Sequence, residues 1–178
     1  MDHTDVGLRA VVRALADVVT PAVDESNSLA REQLRLSIDY IEFVAARLEY
    51  LNDREVFDLR NHLAMARNIV QILGDAAAPG HSTLVAAIGQ GETALSSGAV
   101  PMRSLKDATA SLAAAVADVV RSASEMEQSV ARAIEKAVID SSKERIAFER
   151  AWYEPLGFDP NPGNVPSVRD VMDRQLEG

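Results

Sequence analysis

Apolar residues recur at three- and four-residue steps along most of this chain, the spacing that lays a stripe along one side of an α-helix. Leu8, Val11, Val12, Leu15, Val18 and Val19 predict a helix over Thr4 to Thr20, which Pro21 ends or kinks. After the polar patch Asp24–Ser28, the stripe Leu34, Ile38, Ile41, Ala45 and Leu48 predicts a second helix from Leu29 to Leu51. Asn52 and Asp53 then punctuate, and Asn52 with Glu55 has the spacing of a capping box for a third helix, Arg54 to Leu73. Its stripe is Val56, Leu59, Leu63, Ala66, Val70 and Leu73, with Gly74 as C-cap. So short a connection predicts that the second and third helices form an antiparallel hairpin.

Asp75 to His81 reads as a loop, and Ser82 as the cap of a weaker helix, Thr83 to Leu95, that carries Gly89 and Gly91 in its interior. Ser97, Gly98 and Pro101 close it. Ser104 and Asp107 then form a capping box ahead of Leu112, Val116, Val119, Ala123, Met126, Val130, Ala133 and Ala137, a heptad-like seam without Gly or Pro. This segment, Leu105 to Tyr153, is either one helix about 70 Å long at 1.5 Å per residue or two helices separated where the seam turns polar, at Asp140–Arg145. Ser141 with Glu144 supplies a cap in the second case.

Beyond it the character changes. Phe148, Trp152, Tyr153 and Phe158 are half of the 8 aromatic residues, and Pro155, Pro160, Pro162 and Pro166 exclude a continuing helix. Ser167 can cap a last short helix bearing Val168, Val171, Met172 and Leu176. The tail is expected to strap the chain's own bundle, with the grip of a partner subunit through Trp152, Tyr153 and Phe158 as the other possibility. An offset of 101 residues aligns Ala14–Asp39 with Ala115–Asp140 without gaps, at 11 identities in 26 positions. A duplication would make the first two helices the counterpart of the long fifth segment.

Composition narrows function by exclusion. A net charge of −9 opposes any phosphate-tracking surface, so nucleic acid and anionic membrane surfaces are not expected partners. The chain has no cysteine, which removes disulfides, thiolate metal sites and cysteine nucleophiles. No stretch reaches the roughly 20 uncharged apolar residues of a membrane span. Asp2, Asp5, Arg9, Arg13 and Asp17 interrupt the first apolar pattern in a way a secretory signal does not, so a cytoplasmic protein is expected.

Of three histidines only His62 is well placed, with Asp58 one turn earlier and Glu55 near the same face. A carboxylate can orient an imidazole and hold its tautomer, so Glu55, Asp58 and His62 are the candidates for general-base or metal chemistry. A polar flank beside the Leu59–Leu63 stripe is the favoured reading, since two acids and one histidine are common on helices. The paired Glu-x-x-His elements of diiron bundles are missing, and Gly89 and Gly91 belong to no phosphate-binding loop. Arg60, Arg67 and Arg103 are expected to pair with carboxylates in solvent rather than to bind an anion. No cofactor follows from these residues.

The run Leu15–Ala22, then Arg31, Leu34, Ile38, Ile41, Ala45, Arg47, Leu48 and Glu49, resembles the opening of a small all-helical bacterial family of unknown function. Members are encoded near aminoglycoside-phosphotransferase-like kinases and acyl-CoA dehydrogenases. The resemblance covers about residues 8–73, carries no catalytic residues, and implies a bacterial accessory protein for enzymes handling acyl or phosphorylated substrates. The expectation is therefore an all-α antiparallel bundle of about five main helices over residues 1–153, with a Pro-rich strap and short terminal helix over 154–178. It would act as a non-catalytic interaction module, a homodimer or the binder of another protein. The alternative is a bundle enclosing an apolar or acyl ligand, or an enzyme, with its site at Glu55, Asp58 and His62.

Overall fold

The computed structural model describes residues 3–74, 78–97 and 100–176, and among them every regular element is helical. Asp75, Ala76, Ala77 and Gly98 of the predicted loops, and the side chain of Leu176, lie outside the described residues. The chain is all-α, and it divides into two compact units: Met1–Leu51 with Tyr153–Gly163, and Asn52–Trp152 with Asn164–Gly178.

In the first unit, α1 (Thr4–Ala14) does not stop at Pro21. It widens into a π turn over Leu15–Val19 and continues as α2 (Thr20–Ala22). Proline supplies no N–H and its ring crowds the carbonyl one turn back, so the helix survives by opening ahead of it. Thr20 answers the Leu15 carbonyl with both its backbone N–H and, at 2.9 Å, its hydroxyl. The chain then reverses through Val23–Asn27, and the Asn27 side chain caps α3 (Ser28–Arg47) by accepting from the Ala30 N–H at 3.1 Å. Helices α1 and α3 lie antiparallel, because Ala16 and Thr20 share a groove with Ser28–Arg35 while Asp5, Arg9 and Arg13 share one with Glu42–Ala46.

A short 3-10 turn, Leu48–Tyr50, leads straight into α4 (Leu51–Leu73). Asn52 and Asp53 therefore lie inside a helix, and the predicted punctuation is wrong: with every residue from Arg47 to Leu51 in the right-handed region, there is no turn for a cap to end. Within its unit the antiparallel neighbour of α3 is α1.

The second unit is an up-and-down four-helix bundle. Its helices are α4, α5 (His81–Ser96), α6 (Met102–Ser122) and α7 (Gln128–Tyr153, of which Tyr153 belongs to the first unit). Directions follow from cross-contacts. Gly80 packs on Val119 and Gly91 on Leu112, so α5 and α6 are antiparallel. Lys106 reaches Glu55 at 3.5 Å while Leu112 and Leu63 meet at Gly91, so α4 and α6 run the same way. Phe57 stacks on Phe148 with ring centroids 4.0 Å apart, and Arg54 pairs with Glu149 at 3.1 Å, which turns α7 against α4. Leu59, Leu63, Ile69, Leu84, Leu112, Val119 and Ile134 form the fully buried interior.

The long seam is broken, but not where its polarity changes. Helix α6 ends at Ser122 and a 3-10 turn, Ala123–Glu125, leads to an extended Met126 before α7 starts. The hydroxyls of Ser122 and Ser124 accept no further turn; they donate to the carbonyls of Val119 and Arg121 and close the helix end. Folding back here buries both halves of the seam in one core. The helix passes through Asp140–Arg145 unbroken, with Lys136 and Lys143 bonded to Asp140 on its exposed side; Lys136 foremost, then Lys143, hold that carboxyl down to about 2.

Two other helix starts differ from expectation. Helix α5 begins at His81 with Gly80, at φ 82°, as N-cap, because only a residue without Cβ adopts that backbone so close to Val119; Ser82 lies within the first turn. Helix α6 begins at Met102 behind Pro101, two residues ahead of Ser104. The Gly74 C-cap and the Ser167 cap of α8 (Val168–Leu176) are as predicted, the latter accepting from the Asp170 N–H at 3.1 Å.

The two interior glycines of α5 have opposite surroundings. A Cβ on Gly91 would sit 3.0 Å from Leu63, 3.1 Å from Leu112 and 3.4 Å from Leu59, whereas one on Gly89 would meet open space. Gly91→Val is expected to lower stability by about 2 kcal/mol through overpacking, and Gly89→Ala to raise it by about 1 kcal/mol through helix propensity. Urea unfolding of both variants measures this, and equal effects would contradict the packing described.

Candidate functional site

The three candidate residues of α4 do not converge on one point. Glu55 turns to Lys106 of α6. His62 is buried, at 7% exposure, and its Nδ1 lies 2.7 Å from the Asp58 backbone carbonyl, so Nδ1 carries the proton and donates it. It engages the backbone of Asp58 rather than the carboxylate. Asp58 Oδ1 is buried with no hydrogen-bond partner. Among the described residues no group of three or more His, Asp and Glu is placed to hold a metal ion. The chemistry of this face is thus that of a helix turn whose imidazole is held by its own main chain.

Beside it lies a polar contact that sequence reasoning missed. Asn61, at 4% exposure, faces Ser141 of α7: the Ser141 hydroxyl donates to Asn61 Oδ1 at 3.3 Å, and Asn61 Nδ2 reaches the Ser141 carbonyl at 3.5 Å. Ser141 occupies the position a core residue would take one heptad after Ile134 and one before Phe148, both fully buried. A polar pair inside an apolar seam pins the register of two helices, because sliding either one leaves both partners buried and unpaired. The only sequence signal was Ser141 interrupting the seam, which also fits a cap.

The aromatic candidates separate. Trp152 is buried at 2% exposure, 5.8 Å from the Phe148 ring and under the Arg54 guanidinium at 4.6 Å, so it anchors the second unit. Tyr153, the next residue, belongs to the first unit, where it stacks on Phe43 at 5.6 Å. Arg47 lies 5.8 Å from the same Phe43 ring; burial pushes its guanidinium down from the ordinary value, against the pull of Tyr50 and Glu154. Phe158 is 77% exposed. Arg67 is paired with Glu92 at 2.7 Å in solvent.

The largest unexplained feature is the surface of the first unit. Phe43 is the one buried side chain of α1 and α3, while Val6, Val11, Val18, Val19, Leu29, Leu36 and Tyr40 are exposed. Around α1 the order is Arg9 and Ala16, then the half-buried Val12, Leu8 and Leu15 against α3, then the exposed valines. Around α3 it is Arg35 and Glu42, then Ile38, Ile41 and Ala45, then Val44, Tyr40 and Leu29. The polar grooves therefore lie on one flank of the hairpin and the exposed valines and Tyr40 on the opposite one.

Comparison with protein-family models, with curated proteins and with solved structures gave no match, so the geometry alone carries the functional argument.

If Asp58 and His62 serve the packing of α4 and not chemistry, replacing the carboxylate that has a buried, unbonded oxygen should help the fold. Asp58→Ala is expected to stabilise the protein by about 1 kcal/mol, from relief of desolvation and a gain in helix propensity. Chemical denaturation measures it; destabilisation of similar size would show that Asp58 has a partner of importance.

Proposed function

We propose that this protein is a non-catalytic helical interaction module that self-associates. The observation that carries it is the imbalance between its units. The second unit buries a continuous core contributed by all four of its helices, whereas the α1–α3 hairpin buries one side chain and leaves seven large apolar residues at 37% exposure or more. Two helices seldom hold together on such terms, since helical stability in water derives mostly from packing of the apolar face. A contiguous exposed apolar surface on one flank is the usual mark of an interaction site. A cytoplasmic setting and an accessory role belong to the same proposal.

The alternative, ligand binding or catalysis at Glu55, Asp58 and His62, has less support, because Glu55 and His62 are engaged with Lys106 and the main chain. Among the described residues no helix is long and apolar enough to cross a membrane, so an aqueous partner for the hairpin is the simpler one.

Sedimentation velocity at tens of micromolar is expected to give a species of twice the 19.2 kDa chain mass. Because the exposed surface is apolar, the dimer should persist or strengthen in molar salt, where an ion-paired interface would dissociate. A monomer at all concentrations removes the proposal.

A further inference from the structure

Three regions of the molecule were candidates for a role beyond packing: the buried Asp58–Asn61–His62–Ser141 contacts, the exposed Ile139 and Ile146 on α7, and the valine flank of the α1–α3 hairpin. The first is accounted for by helix register. The second is two isolated residues. The third is set apart by an internal comparison the chain itself provides.

The 101-residue offset found in the sequence is matched in the helix boundaries. Ala22, the last residue of α2, corresponds to Ala123 just past the end of α6, and Ser28, the first of α3, to Ser129, one residue inside α7. Both stretches are thus helix, short break, helix, with the break at the same place. Burial agrees at some corresponding positions, where Val19 and Val120 are both exposed and Leu15 and Val116 both lie inward, and differs at others. Val119 and Ala137 are 0% and 5% exposed, whereas their counterparts Val18 and Leu36 are 68% and 37% exposed. In the second unit these positions are covered because α4 and α5 complete a four-helix bundle. The first unit has no such pair.

Resting on the self-association proposed above, we infer that the missing pair is the α1–α3 hairpin of a second copy of this chain, joined across a two-fold axis to form an intermolecular four-helix bundle. Charge favours this occupant. The flank formed by Gly7, Val11, Ala14, Val18, Val19 and Tyr40 has no ionisable group other than the tyrosine phenol, so two chains of net charge −9 can meet there without placing carboxylates face to face. Asp5, Arg9, Arg13, Arg35 and Glu42 lie on the opposite flank, around the grooves. Shape favours it as well: glycine and alanine among valines let helix backbones approach closely. Residues 4–22 make a surface about 28 Å long, at 1.5 Å per residue, and about 20 Å wide across two helices. Such a surface is of the order of the roughly 800 Å² per partner buried in stable dimers, and an isologous interface needs only one self-complementary patch.

The chain lacks cysteine, which makes single-cysteine cross-linking clean. Val11→Cys and Val18→Cys proteins should give disulfide-linked or bis-maleimide-linked dimers in high yield under mild conditions, whereas Ile146→Cys, equally exposed on α7, should not. The double variant Val11→Glu, Val18→Glu should sediment as a monomer, with at least a hundred-fold rise in the dimer dissociation constant, while the emission of buried Trp152 stays that of the native protein. The variant Ile139→Glu, Ile146→Glu should remain dimeric. Cross-linking through Ile146→Cys with a dimer that survives the valine substitutions would overturn the hairpin interface and leave self-association standing. A wild-type monomer would remove both.

Discussion

Everything in the second unit depends on where the seam from Leu105 to Ala137 reverses. A straight helix would carry that seam along about 50 Å with nothing to cover half of it. The serine-rich end at Ser122–Glu125 turns it back, so that Leu112, Val116 and Val119 on α6 and Ile134 and Ala137 on α7 enter one core with Leu59 and Leu63 of α4. Gly91 then sets how near α5 can come: its missing side chain is the space into which Leu63 and Leu112 point. The reversal and the close approach together determine a bundle in which each helix meets an oppositely directed neighbour through a short connection.

Most of the helices were legible because their stripes are strong and their ends are marked by Asn27, Gly74 and Ser167, whose capping is local chemistry. The errors share a cause. Asn52 with Glu55, Ser82 and Ser104 with Asp107 all have the spacing of caps, yet each lies inside a helix that begins earlier. A capping box is a local option, and it is not taken when the preceding residues are already helical. The break at Ala123–Met126 was missed for the converse reason: no Gly or Pro marks it, and serines compete with the helix only through the carbonyls they happen to reach. Pro21 misled in a third way, since a widened turn accommodates what a regular α-helix does not.

The candidate site was less legible than the fold. Glu55, Asp58 and His62 share a helix face, as the spacing demanded, but what a side chain on that face meets is decided by α6 and α7, and spacing along α4 contains no information about them. Lys106 takes Glu55, and the main chain takes His62. Asn61 and Ser141 are 80 residues apart and are brought together by the same packing of α4 on α7 that stacks Phe57 on Phe148. Polar groups here specify how helices register, a role indistinguishable in one dimension from that of a catalytic residue.

The internal repeat gives the exposed hairpin its meaning. The similar stretches 14–39 and 115–140 each form helix, short break and helix, yet Val119 is buried and Val18 exposed. Val119 and Ala137 correspond to Val18 and Leu36, apolar in both, while the buried Ile134 corresponds to the exposed, polar Gln33. Asp5, Arg9, Arg13, Arg31, Glu32, Arg35 and Glu42 gather around the grooves of this hairpin. A hairpin that gathers charged residues around its grooves and presents Val11, Val18 and Tyr40 on the other flank is patterned for burial on that side, and the chain contains four helices already buried against each other to show what that burial looks like.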